Sequence, residues 1–234
     1  MKKNKLLWTL TMIPFVLTLI VLPALPEQLP MHYNLAGEID RWGSRWEQLI
    51  FPLIIIGMSI FWQFMLSFYD KKLQKEGDSK AGQEAAANRK VLSFAAIGTT
   101  LLFIVMHIAF LIGAYNEAKT NATVSSIDIN TIVGVMMGIL LIAIGNYMPK
   151  TRRNPVIGFR TSKTMSSDEN WAKANRFAGL VFVISGILTV GLSLLFGGII
   201  AMSLFLGVLL VDVLICLIIS FLNFSIILFS KREI

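Results

Sequence analysis

The chain has 234 residues, 55% of them hydrophobic and only 15% charged, with a mean hydropathy of +0.70. A soluble domain carries about 25% charged residues, so the composition excludes an ordinary soluble protein and places the chain in a lipid bilayer. A single cysteine, Cys216, excludes an intrachain disulfide, and two histidines scattered far from it offer no zinc-binding spacing; no cofactor or metal is expected.

Six apolar runs follow one another, at roughly 6–25, 49–69, 91–115, 129–148, 177–197 and 199–229. A hydrocarbon core of about 30 Å needs about 20 helical residues, and each run is long enough. None alternates with the period of a barrel strand, so helices are expected. The first run follows Lys2, Lys3 and Lys5 but ends in Leu22-Pro23-Ala24-Leu25-Pro26, without a small-x-small cleavage site, and is read as a retained anchor rather than a signal peptide. The polar stretch 70–90 reads as a solvated linker or a helical extension. Only Gly197-Gly198 separates the last two runs, which demands a very tight reversal. The sixth run exceeds one crossing; it tilts, or its final turns from Asn223 to Ser230 emerge into the interface. The expected fold is all-α: an integral membrane bundle of six transmembrane helices with one structured outer loop and one structured inner loop. Its expected organisation is a two-span module at 1–70, a linker at 71–90 and a four-span module at 91–234.

Lysine and arginine set the orientation. With the amino terminus inside, the inner segments hold 18 of the 21 basic residues, and the outer loops hold only Arg41, Arg45 and Lys119. This asymmetry requires an even number of spans and both termini in the cytoplasm. It also accounts for the net charge of +7 by topology and attraction to anionic lipid, without direct nucleic-acid binding.

The inner loop, 145–176, is unusually rich for a connector. It reads Gly145-Asn146-Tyr147-Met148-Pro149, a basic run, Asn154-Pro155-Val156-Ile157-Gly158-Phe159-Arg160-Thr161, then Thr164, Trp171 and Asn175-Arg176. Ser166 and Glu169 have the spacing of a capping box that opens the fifth helix. Trp171 and Asn175, four apart, share one face of it. Pro149 and Pro155 keep the preceding stretch non-helical. Gly158 permits a sharp turn, and Arg160 offers a planar fork for a carboxylate, phosphate or carbonyl cluster. The same residue types also fit a positive-inside loop with an interfacial tryptophan.

The outer loop, 26–48, runs Pro26-Glu27-Gln28-Leu29-Pro30-Met31-His32-Tyr33-Asn34-Leu35-Ala36-Gly37-Glu38-Ile39-Asp40-Arg41-Trp42-Gly43-Ser44. Asn34 to Gly37 is a turn, and Ser44 with Glu47 makes a capping box for the second helix. Trp42 and Trp46 suit an outer headgroup belt. The loop is either a lid that meets a partner or a hairpin stabilised by its turn and tryptophans. His32 near Glu38 and Asp40 suggests a metal site or an enzyme, and one histidine with two acids at loop spacing is a weak signal for either.

Within the spans, Gly134, Gly138 and Gly145 line one face of the fourth helix as a small-residue packing seam. His107 and Asp212 are ionisable at membrane depth. They are read as the groups of a small proton-coupled transporter; in the plainer reading Asp212 sits near the outer end of its span or hydrogen-bonds a neighbouring helix, with His107 as a candidate partner.

The pattern G-N, N-x-x-I-G-x-R-T-x-x-T and W-x-x-x-N-R, carried by Asn146, Asn154, Gly158, Arg160, Thr161, Thr164, Trp171, Asn175 and Arg176, resembles the SdpI family of bacterial membrane proteins. The stretch from Pro26 to Gly43, with His32, Asn34, Gly37, Asp40 and Trp42, resembles a module of unassigned function often found ahead of it. No nucleophile–base pair or metal set emerges from the residues, so no enzyme is expected, and the resemblance implies an immunity protein of the plasma membrane. Such a protein would protect the cell from a secreted peptide toxin met by the outer loop, and in some members would hold a cytosolic transcriptional repressor at the inner loop.

Overall fold

The computed structural model describes residues 4–34, 36–154 and 158–221, and for 219–221 the backbone alone. Lys2, Lys3, Leu35, the Pro155-Val156-Ile157 part of the inner motif, the expected interfacial turns from Asn223 to Ser230, and Lys231 and Arg232 lie outside the described residues.

Among the described residues, six helices form the bundle: α1 Lys5–Val21, α2 Ile50–Glu76, α3 Lys80–Thr120, α4 Ile129–Tyr147, α5 Asp168–Phe196 and α6 Gly198–Phe221. All six are long and apolar enough to cross a membrane. Their outward faces carry Leu195 at 78% and Phe64 at 67% exposure, among many large apolar side chains. In water such a surface would drive association; in lipid it is the contact surface. The fold is thus a multi-pass membrane bundle, as its composition requires.

Helices α1, α2 and α3 pack together, as do α4, α5 and α6, and α3 also touches α4. In the first group, the Thr11 and Ser59 hydroxyls meet at 2.6 Å and the Trp8 indole donates to Gln63 at 3.2 Å. Polar bonds of this kind hold helices together where lipid offers no hydrophobic drive for association. In the second group, the glycine seam does the work. A Cβ on Gly138 would lie 2.8 Å from the Gly186 carbonyl, and one on Gly145 would lie 2.6 Å from the Gly179 carbonyl, so α4 and α5 run backbone against backbone.

The stretch 71–90 is helical on both sides of a short turn: α2 continues to Glu76 and α3 begins at Lys80, capped by Ser79. Arg89 pairs with Asp70 across it. The reversal between α5 and α6 uses Gly197 and Gly198 at φ 61° and 49°, a region side chains rarely adopt.

Between α1 and α2 lies an antiparallel hairpin, β1 Gln28–Tyr33 with β2 Ile39–Ser44. Its chain continues through the capping box of Ser44 and Glu47 into a 3₁₀ turn at Arg45–Leu49, as the spacing indicates. The hairpin sits at one end of the bundle with the 121–128 connection. The 151–167 loop sits at the other, basic end, beside the α2–α3 turn.

Candidate functional site

The basic-end loop is built around two side chains of α5. Trp171 is 2% exposed and its indole N–H donates to the Thr151 carbonyl at 3.0 Å. It is therefore enclosed under the loop and does not sit in a lipid headgroup belt. One turn later, buried Asn175 accepts the Phe159 N–H at 2.8 Å and donates to the Trp171 carbonyl at 3.0 Å. The helical spacing of four brings the two to one place, and the loop folds over them.

Gly158 completes the cradle. Its φ is 108°, and a Cβ there would come within 2.5 Å of Asn175 Oδ1 and 2.8 Å of the Trp171 ring. Only glycine meets both conditions. Thr161 and Thr164 close the next turn: the Thr161 N–H donates to Thr164 Oγ1 at 2.8 Å, and the Thr164 hydroxyl reaches the Phe159 carbonyl at 3.1 Å.

On the α2–α3 side, buried Asn88 accepts the Arg152 N–H at 3.1 Å, and Asn154 donates to the Arg152 carbonyl at 2.6 Å and accepts from the Tyr69 hydroxyl at 3.2 Å. The structure thus brings Asn154, Gly158, Thr161, Thr164, Trp171 and Asn175 into one hydrogen-bonded core. Arg160 and Arg176 are exposed on its surface. Asn146 stands apart, exposed, donating to the Ile142 carbonyl of its own helix at 3.0 Å.

One local expectation is corrected. The cap of α5 is Ser167, which accepts from the Asn170 N–H, rather than Ser166. Ser166 instead donates to the Lys163 carbonyl at 2.7 Å, and Glu169 pairs with Lys173 at 2.6 Å. With two serines in succession, the one whose backbone is extended takes the cap.

At the hairpin end, Asn34 makes the turn: its side-chain oxygen accepts from Ala36 and Glu38 N–H groups at 2.9 and 3.0 Å, and the Gly37 N–H donates to its carbonyl at 2.9 Å. His32 and Asp40 meet at 2.6 Å across the strands, both exposed. Trp42 is 39% exposed.

The hairpin is tied down by Glu117 of α3, which sequence reasoning missed. This fully buried carboxylate accepts from the Tyr33 hydroxyl at 2.6 Å, the Ser126 N–H at 2.6 Å and the Ser125 hydroxyl at 3.1 Å. Burial, and then the carboxylate beside it, push the Tyr33 hydroxyl above the ordinary tyrosine range, so it remains a donor. Residues 123–125 extend the sheet through Glu38 and Val124. The available signal was an acid near the end of an apolar run, but its partners lie 84 residues away and in a separate loop.

Asp128 links the 121–128 connection to the α5–α6 turn, accepting the Gly198 N–H at 2.6 Å and the Thr131 hydroxyl at 2.6 Å. Burial opposes its ionisation, but the Thr131 hydroxyl and the Gly198 N–H hold its carboxyl below the usual range. The Asp128 cap and the glycine turn frame one side of a cavity of about 920 Å³, and the hairpin forms the other side.

His107 and Asp212 do not meet. His107 is buried, bonded to the Thr18 hydroxyl at 2.7 Å and stacked on Phe51. Asp212 accepts from the Ser185 hydroxyl at 2.5 Å between α5 and α6. Asp212 thus hydrogen-bonds a neighbouring helix, as one reading had it, but its partner is Ser185 and not His107.

Residues 150–222 match the SdpI/YfhL protein family, and residues 9–56 match a domain of unknown function, DUF1648. The chain is 28% identical over 220 residues to the Immunity protein SdpI of Bacillus subtilis (strain 168), covering 94% of this chain and 93% of that protein. It is 34% identical over 67 residues to the Uncharacterized protein YfhL of the same organism, covering 27% of this chain and 61% of that protein. No solved structure matches. The hairpin lies in the first matched region and the loop core in the second: the chain is a multi-pass membrane protein in which a region that matches DUF1648 precedes one that matches the SdpI/YfhL protein family.

Proposed function

We propose that this protein is an immunity protein of a bacterial plasma membrane that protects its cell from a secreted peptide toxin. The observation that carries the reading is the alignment with the Immunity protein SdpI along nearly the whole of both chains. In this reading both termini and the 145–176 loop face the cytoplasm, following the bias of 18 basic residues against three. The hairpin, with His32, Asn34, Gly37, Asp40 and Trp42, faces outward and meets the toxin. The loop offers Arg160 and Arg176 to a cytosolic partner, a transcriptional repressor held at the membrane. Asn154, Gly158, Thr161, Thr164, Trp171 and Asn175 hold that loop in shape. The task requires binding on two faces and no chemical step, so the protein is not an enzyme and needs no cofactor.

The test is expression in a toxin-sensitive bacterium, scoring survival against peptides secreted by killing strains. Protection against one of them is expected. Survival equal to that of cells with empty vector, at normal membrane levels of the protein, would reject the reading.

A further inference from the structure

The cavity between the hairpin and the α5–α6 turn measures about 920 Å³. It lies in the range of ligand-binding pockets and, like many of them, at the junction of two structural units. Its walls include Phe51 and Phe110 from α2 and α3, Ile129 from α4, and Phe196 and Ile200 from the α5–α6 turn, with His107 at its inner limit. Arg41, Glu47 and Asp128 also line it. Arg41 is paired with Glu47 at 2.8 Å, which leaves the Asp128 carboxylate as the excess charge.

The surroundings have the same sign. Segments 26–48 and 116–128 hold Glu27, Glu38, Asp40, Glu47, Glu117 and Asp128 against Arg41, Arg45 and Lys119, six acids to three bases. Even without buried Glu117, this end is acidic in a chain whose net charge is +7. An apolar pocket inside an acidic rim selects a ligand with an apolar body and positive charge, and repels an anionic headgroup.

We propose that this cavity is a docking pocket for a cationic amphipathic peptide, which seats apolar side chains between Phe51, Phe110 and Phe196 and places basic groups at the Asp128 side of the rim. The proposal rests on the immunity reading for its biological setting and names where and how the toxin would be held.

The test uses the full chain in phosphatidylcholine nanodiscs. The probes are a fluorescein-labelled amphipathic helix of leucine and lysine and its leucine–glutamate counterpart, with empty discs as the blank. Two positions lining the cavity are varied: Asn130, half-buried at its edge, and Ile200, 53% exposed. The lysine peptide should bind about tenfold or more tighter than the glutamate peptide, and Asn130→Lys should weaken it about tenfold while Asn130→Glu does not. Ile200→Trp should abolish binding with an unchanged melting temperature. Equal affinity for the two peptides, binding no better than to empty discs, indifference to these substitutions, or a tightly held phospholipid recovered in place of the peptide would overturn the proposal. Cell survival is scored on the same chains. A chain that protects cells without binding the lysine peptide removes the pocket and leaves the immunity reading standing; one that binds it without protecting cells removes only the immunity reading.

Discussion

Trp171 and Asn175 show how much one pair of side chains can organise. Their spacing of four made a shared face legible before any coordinates, because helical geometry alone dictates it. That the face points inward under the loop was not legible, since an interfacial tryptophan and a buried one look alike in sequence. The Ser167 cap escaped for a related reason: two adjacent serines carry the same chemistry, and only the backbone selects between them. Trp171→Phe removes the donor to the Thr151 carbonyl, and Asn175→Ala leaves the Phe159 N–H without its acceptor. Each should cost about 1–3 kcal/mol, measured as a lower midpoint of thermal unfolding in detergent. Arg160 is exposed at the surface of this core, and in the proposed reading its guanidinium meets the cytosolic partner. Arg160→Ala is expected to reach normal membrane levels and lose protection or signalling. Arg160→Lys should rescue poorly, because an ammonium cannot reproduce the guanidinium fork. Full activity in both variants would reduce Arg160 to a topogenic charge.

Among the elements, α4 and α3 carry the architecture. The glycine spacing on α4 was readable as a packing seam, and the structure supplies its partner, the Gly179 and Gly186 backbone of α5. Gly138→Leu should therefore separate the two helices and abolish the sharp unfolding transition, whereas Gly191→Ala, where an added Cβ meets nothing within 4 Å, should leave the transition intact. Helix α3 runs for 41 residues, about 60 Å at 1.5 Å per residue, and so projects well beyond a core of about 30 Å. It carries Asn88 beneath the basic-end loop and Glu117 beneath the hairpin, joining the two ends through one continuous helix. No local pattern could disclose Glu117, because its donors come from a distant strand and a following loop. Glu117→Ala should leave the Ser126 N–H and Tyr33 hydroxyl unpaired and expose the hairpin to limited proteolysis. Glu117→Gln keeps an acceptor oxygen and should protect most of it. Equal cleavage of the two variants and the parent chain would mean that the hairpin is held without this carboxylate.

For the whole molecule, hydropathy alone disclosed the number of spans, because lipid leaves the backbone few alternatives to the helix; α2, α3 and α5 run several residues past their apolar runs into polar sequence, which hydropathy does not register. The two end structures were visible only as polar, turn-rich composition; their closure depends on bonds between segments far apart in sequence. The account rests on these ends facing opposite sides of the membrane, the hairpin outward and the Arg160 loop inward. Its most direct test is labelling of intact cells with a membrane-impermeant maleimide, using single cysteines placed at the exposed positions Ala36 and Ser162; the native Cys216 is buried within α6 and gives the background. The account predicts that the cysteine at Ala36 reacts from outside and the one at Ser162 reacts only after the cells are permeabilised. Labelling at Ser162 in intact cells, with Ala36 protected, would contradict it and leave the hairpin on the wrong side to meet a secreted peptide.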